Sequence, residues 1–239
     1  MIIHKLIAHH LKHKDDSEFY RLQAVDAINW IEKAGARVGA GVKALDLGCG
    51  HGVFGAALAE GGCDVTFSDE QNFLVPELKG EKFQPLDLEK EPINKLGRFD
   101  LVICSNVLEH LSDPKRLLNM IPDCLTPNGH FYLSWTNWLS PWGGHEFSPY
   151  HYLGKRRGHL IFDRLKKIQR KHTPYVNLFP TNIGEILKMA RQVPNLKTVA
   201  MAPRYYPEWS FLLRIPILRE FTAWNCAILF QNGGKANKN

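Results

Sequence analysis

The chain has 239 residues, 44% hydrophobic and 23% charged, with a formal net charge of +6. A chain of this size buries roughly three quarters of its unfolded surface, and its near-average composition excludes collagen-like, coiled-coil and wholly disordered classes. The five cysteines, Cys49, Cys63, Cys104, Cys124 and Cys226, are odd in number and contain no C-x-x-C pair, so neither a disulfide framework nor a cysteine zinc site is expected.

The opening MIIHKLIAHHLKHK is interrupted by His4 and Lys5 and has no small-residue cleavage site, which makes it a poor signal peptide. No apolar run reaches bilayer-spanning length, and a cytoplasmic protein is expected. His9 and His13 read as helix surface. Ser17 is placed to cap a helix running to about Ala34, with Phe19, Leu22, Val25, Ile28 and Trp30 near helical spacing, and glycines at 35, 39 and 41 end it. VKALDL then reads as a strand, a glycine cluster as a turn, and FGAALAEGG as a helix. DVTFSD, EKFQPLD, FDLVICSN and GHFYLSW follow as further strands, with helical patterns between most of them.

That alternation predicts the α/β class with a doubly wound, mostly parallel, seven-stranded Rossmann-like sheet. After a helix from Asn182 to about Arg191, LKTVAMA and WNCAILFQ predict an antiparallel edge hairpin, with SFLLRIPILREF between them packing inside. Pro216 spoils a long amphipathic helix there. Residues 137 to 180 break the alternation and read as a lid insertion over the carboxyl ends of the strands. The expected organisation is a single domain over residues 1 to 239, with an N-terminal helical segment at 1 to 40 and a frayed polar tail at 233 to 239.

Charge is concentrated in that insertion. Between Pro141 and Pro180 stand eight basic residues, Lys155, Arg156, Arg157, Arg164, Lys166, Lys167, Arg170 and Lys171, against Glu146 and Asp163, so this one stretch carries the whole net charge. A confined basic segment suits an anionic neighbour, although charge runs are as often solvated helix faces.

The densest chemistry lies in Asp46-Leu47-Gly48-Cys49-Gly50-His51-Gly52, which ends a strand and opens a helix. Glycines permit close backbone approach, and a helix N-terminus offers N–H groups to a ligand. GHGVFG matches the dinucleotide fingerprint G-x-G-x-x-G, with Asp69 at a suitable distance for ribose hydroxyls. Asp46 argues against that ligand, because a carboxylate repels a pyrophosphate and attracts a cationic amino group. Gly55 is assigned to packing of helix against strand.

ALDLGCGHG resembles the D-x-G-x-G-x-G turn of class I S-adenosylmethionine-dependent methyltransferases, of the type 11-like kind, and the resemblance runs in order over about residues 43 to 136. VTFSDE resembles the segment whose acid, here Asp69, holds the ribose. PLDLEKEP resembles the segment that meets the adenine, at Asp87 and Leu88. FDLVICSNVLEHLSDP and LTPNGHFYLS resemble the fourth-strand motif and the approach to the fifth. The resemblance implies S-adenosylmethionine as cofactor, bound by Asp46, Gly48, Gly50, Gly52, Asp69, Asp87, Leu88 and Asn106. The departures are Pro122 within the helix before strand five, Asn128 in place of a glycine, and a short stretch between Asp69 and Phe83 that implies a reduced crossover helix. SPWGGHEFSPYHYLG and RYYPEWSFLLRIPILREF resemble an uncharacterised bacterial subgroup, mycobacterial members among them.

An oxygen acceptor must lose a proton, so a base near the crevice is expected. His110 is the first candidate, at i+4 from Asn106 where a helical turn places both on one side, and His145 in the glycine-hinged insertion is the second. Trp138, Glu146, Tyr150, His151, Arg156 and Arg157 are the candidates for holding the acceptor. Of Trp135, Trp138 and Trp142, at least two are expected to anchor the insertion. A zinc set of His145, Glu146, His151 and His159 lacks tight ligand spacing, and no metal is expected. The expected acceptor is a small molecule or a glycan or glycolipid precursor of anionic character, methylated at oxygen. No sequence-specific nucleic-acid partner is expected, and any membrane contact is peripheral. A nicotinamide-dependent oxidoreductase and a non-catalytic module of the same fold are the alternatives.

Overall fold

The computed structural model describes residues 16 to 166 and 171 to 234. The histidines at 9 and 13, basic residues 167 and 170 and the end of the polar tail lie outside them, and the capping side chain of residue 17 is likewise not described. Helix α1 (Asp16–Lys33) is followed by β1 (Lys43–Leu47), α2 (Val53–Glu60), β2 (Asp64–Asp69), β3 (Phe83–Pro85) and β4 (Phe99–Ser105). Then come α3 (Pro114–Cys124), β5 (Leu125–Thr136), α4 (Gly154–Leu165), α5 (Ile183–Ala190), β6 (Leu196–Pro203), α6 (Leu218–Thr222) and β7 (Asn225–Asn232).

The strands form one sheet in the order β3-β2-β1-β4-β5-β7-β6. The first five are parallel, and β7 runs antiparallel to both β5 and β6. The expected seven-stranded doubly wound sheet with an antiparallel pair at one edge is therefore present. Its order reverses between β1 and β4, and in such sheets the crevice outside the carboxyl ends of these strands is where ligands bind.

Both sheet faces are covered, and strand periodicity decides which residue enters which core. In β4, Leu101 and Ile103 pack with Ile31, Leu58 and Phe67 on one face, whereas Val102 and Cys104 pack with Leu117, Leu118 and Ile186 on the other. β5 divides likewise, Tyr132 to the first face and Phe131, Leu133 and Trp135 to the second. Each fully buried aliphatic or aromatic side chain contributes about 1.5 to 3 kcal/mol relative to exposure. All five cysteines are buried and unpaired.

The departures noted in the sequence have local answers. Between β2 and β3 there is only a 3₁₀ turn, Pro76–Leu78, in place of a full crossover helix. α3 runs through Pro122 but ends two residues later, so the carbonyl that loses its donor lies in the last turns. Asn128 holds a left-handed φ of 64°, a conformation Asn tolerates better than most residues. α5 matches the expected helix within a residue at each end.

One expectation requires correction. SFLLRIPILREF does not pack wholly inside: Leu212 and Leu213 are buried, but Phe211, Ile215, Ile217, Leu218 and Phe221 are exposed. The segment is a 3₁₀ stretch, Pro207–Arg214, followed by the short α6, so it lacks the length to turn all its apolar side chains toward one core. Among the described residues, no helix is long and apolar enough to cross a membrane.

Candidate functional site

The turn after β1 rises at the point where the strand order reverses. Gly48, Gly50 and Gly52 have φ of 70°, 50° and 85°, so three left-handed residues compress the strand-to-helix transition. Its amides are almost fully used within the protein. Gly48 and Cys49 donate to the Ser68 carbonyl at 2.8 and 3.0 Å, Gly52 donates to the Cys49 carbonyl, and Gly50 donates to Asp69 Oδ2 at 2.9 Å. Gly55, in the first turn of α2, donates to Asp46 Oδ2 at 2.7 Å.

Two carboxylates thus occupy N–H groups that a dinucleotide turn would offer to a pyrophosphate, and their charges oppose such an anion. A cofactor with a cationic end and ribose hydroxyls fits this pair of acceptor carboxylates. There is room for it beside Gly50, where an added Cβ would meet nothing within 4 Å. Gly48 and Gly52 are closed off by Val107 and by Leu74 and Leu78 respectively, so they shape the turn. Gly55 has the packing role expected of it, for a Cβ there would lie 2.1 Å from the Phe67 ring.

Asp46 is buried, and burial, opposed by the Gly55 N–H and reinforced by the nearby Asp69 charge, pushes its carboxyl up to about 7. Asp69 also accepts from the Glu70 N–H at 2.8 Å. Asp87 accepts from the Glu89 N–H and from Lys90 Nζ, and the lysine holds its carboxyl below the usual range. The Leu88 carbonyl accepts from Arg116 Nη1, which pins that segment to α3.

The crevice wall after β4 differs from the expected helical turn. Asn106 is left-handed at φ 57°, and only a 3₁₀ turn, Leu108–His110, follows. Asn106 and His110 therefore engage different partners. Asn106 Oδ1 accepts from Asn225 Nδ2 at 3.0 Å and from Arg204 Nη1 at 3.3 Å, whereas His110 Nδ1 lies 2.7 Å from the Asn177 carbonyl. Glu109 is buried, with Oε1 accepting from the Thr136 N–H, and burial raises its carboxyl above the usual range.

The insertion brings His145 to His110, with ring centroids 5.3 Å apart, and adds His172 at 5.0 Å from His110 and 4.8 Å from His145. Glu146 reaches His172 Nδ1 at 3.0 Å. The two candidate bases thus meet, and His172 is the partner that sequence reasoning missed. Its only sequence signal was its place in the basic stretch. The set His145, Glu146, His151 and His159, which the sequence spacing disfavoured, does not assemble, since His151 is buried with Nε2 on the Ser140 carbonyl and His159 packs against Phe147.

The remaining candidates divide between interior and surface. Trp138 and His151 are buried against each other, 5.3 Å between centroids, and Trp138 also meets Tyr175, which places both inside the insertion. Trp135 is buried in the core under β5, while Trp142 is 56% exposed and packs against Trp224. Arg156 and Arg157 are exposed on α4, and Tyr150 is half-buried against Phe147 and Phe162. Arg204 was a second omission. Almost fully buried, it bonds to Ser105 Oγ and Asn106 Oδ1 and lies 5.2 Å from the Phe54 ring centroid.

A family model described as a methyltransferase domain matches residues 18–171. An uncharacterized methyltransferase of Mycobacterium leprae (strain Br4923) is 32% identical over 227 residues, covering 90% of this chain and 83% of that protein. Among solved structures, an S-adenosylmethionine-dependent methyltransferase from Mesorhizobium loti superposes with a TM-score of 0.55 at 19% identity, covering 86% of this chain and 97% of that one. Magnesium protoporphyrin IX methyltransferase from Synechocystis, solved with bound SAH, also gives a TM-score of 0.55 at 16% identity, with coverages of 89% and 83%. These structural likenesses describe the fold.

Proposed function

The chain belongs to the methyltransferase domain family, and on that premise we propose that it transfers a methyl group from S-adenosylmethionine to an oxygen of a small or glycan-type acceptor, a phosphate-linked sugar hydroxyl being the preferred case. The observation that carries this reading is the pair of carboxylates at the glycine turn, Asp69 accepting from the Gly50 N–H and Asp46 from the Gly55 N–H in the first turn of α2. When bound, S-adenosylmethionine supplies an electrophilic sulfonium methyl group. Asp46 meets its cationic end, Asp69 accepts from ribose hydroxyls, and Asp87 with the Leu88 backbone borders the adenine. Asn106, held by Arg204 and Asn225, borders the crevice at the carboxyl end of β4.

Methyl transfer asks the protein mainly for alignment and exclusion of water. The attacking hydroxyl must also shed a proton or have its developing charge stabilised, and His110 and His145 supply the groups for this. The 3₁₀ turn bearing His110 begins next to Val107, the residue packed against Gly48, so the start of that turn adjoins the glycine turn. The insertion acts as the lid. Its exposed Arg156 and Arg157 suit an anionic acceptor, and the exposed ring of Trp142 suits a sugar face. Apolar side chains exposed at Phe211, Ile217 and Phe221, with Arg214 close by in sequence, are compatible with peripheral contact to a lipid-linked acceptor.

Calorimetric titration with S-adenosylmethionine and its demethylated product, with NADH as control, tests the cofactor. Micromolar binding of either with none of NADH is expected. NADH binding alone would replace this reading with an oxidoreductase. Transfer of labelled methyl to sugar phosphates or glycolipid precursors tests the acceptor, and alkali-stable ether product is expected.

A further inference from the structure

We propose that His110, His145 and His172 form a site for one divalent transition-metal ion of the zinc class, with an open position for an acceptor oxygen. This rests, for its role, on the oxygen-methylation reading above. The three imidazoles come from separate parts of the chain: the 3₁₀ turn after β4, the start of the insertion, and the loop after α4. One ring nitrogen of each lies within 4.8 Å of those of the other two.

Distances favour closure around an ion. Three nitrogens at that maximal mutual separation lie at most about 2.8 Å from their common centre, and zinc–imidazole bonds are about 2.0 to 2.1 Å. Movements of about 0.7 Å per ring, within side-chain adjustment, complete the contacts.

The supporting hydrogen bonds are those a metal-ligating histidine requires. An imidazole whose Nδ1–H donates to a carbonyl or carboxylate carries its lone pair on Nε2, with its tautomer and ring orientation fixed. His110 Nδ1 has such a partner in the Asn177 carbonyl at 2.7 Å, and His172 Nδ1 has one in Glu146 at 3.0 Å. Asn177 is braced in turn, accepting from the Thr173 N–H at 2.6 Å and donating to the Lys171 carbonyl at 3.2 Å. The short loop that presents His172 therefore also orients His110. His145 is held at φ 49°, a left-handed conformation costly for a side-chain-bearing residue and concentrated at functional sites.

Three neutral imidazoles select zinc, cobalt, iron, nickel or copper over magnesium or calcium. All three histidines are only half-buried, so protein does not close the coordination sphere. An acceptor hydroxyl that takes the open position gives its proton to solvent and leaves an alkoxide stabilised by the ion, the same Lewis-acid effect that lowers the pKa of metal-bound water.

The test is titration of chelator-stripped full-length protein with cobalt(II), read by visible absorption and by metal content after dialysis. One equivalent with the intense spectrum of a four- or five-coordinate ion, displaced by zinc, is expected. His172→Ala and His110→Ala should each weaken it by more than a hundredfold with unchanged circular dichroism, and Glu146→Gln by tenfold or more. His159→Ala, and a variant with His4, His9, His10 and His13 replaced by Ala, should retain the equivalent. Absence of binding in the intact chain, or binding that persists in His172→Ala, would overturn the site. Methyl transfer undiminished by stripping would overturn the Lewis-acid role. S-adenosylmethionine calorimetry on stripped protein separates these failures from failure of the methyltransferase reading.

Discussion

Gly55 donates its backbone N–H to Asp46 Oδ2 at 2.7 Å, tying the first turn of α2 to the end of β1. The bond joins α2 to the group proposed to meet the cofactor's charge, so the carboxyl proposed for binding also braces the strand-to-helix transition.

That coupling sets a pH dependence. The Asp46 carboxyl is raised by burial from 3.8 to about 7 in the folded protein. Its contribution to stability is therefore most favourable below the unfolded value and is lost as pH rises through about 7, a change of order 4 kcal/mol. A cation beside it favours the charged form, so S-adenosylmethionine affinity should rise with pH and level off above about 7. Asp46→Asn should flatten that slope, and Asp46→Ala should weaken binding more than tenfold, both measured by calorimetry. Unchanged affinity in Asp46→Ala would remove Asp46 from the site.

Gly55→Ala should destabilise the protein by about 1 to 3 kcal/mol through overpacking, because the new methyl meets the Phe67 ring. Adding Phe67→Leu should recover part of the loss in thermal denaturation. Losses that simply add would show that the two positions do not share the clash.

His110→Ala should leave S-adenosylmethionine affinity within twofold of the parent while slowing methyl transfer by about a hundredfold or more, as expected for a group that assists proton loss. Equal single-turnover rates at saturating acceptor would reduce its role to holding the Asn177 carbonyl.

Arg156→Gln with Arg157→Gln should raise the acceptor's KM while kcat changes little, and the increase should shrink as salt screens the parent's attraction. A KM independent of both charge and salt would make α4 a solvated surface.

Arg204→Met should lower stability by about 1 to 3 kcal/mol, since Ser105 Oγ and Asn106 Oδ1 lose a charged donor. Burial raises the Asp26 carboxyl, and Arg204 partly offsets this. Asp26 should therefore titrate higher in the variant by carbon-detected NMR.

The alternation of apolar strands with helices, the acid-glycine turn and the acids at 69 and 87 are local in the chain. They made the doubly wound sheet, the cofactor class and the packing role of Gly55 legible, because strand and helix periods and left-handed turns are dictated by neighbouring residues. The exposed face of the Pro207–Arg214 stretch and the burial of Trp138 and His151 were not legible in this way, since they depend on which surfaces remain after the sheet is covered. Nor was the meeting of His110, His145 and His172, drawn from segments tens of residues apart. No local spacing encodes such a cluster. Only the packing of the residues around Asn177 against the turn after β4, with the Asn177 carbonyl against His110, brings those imidazoles together.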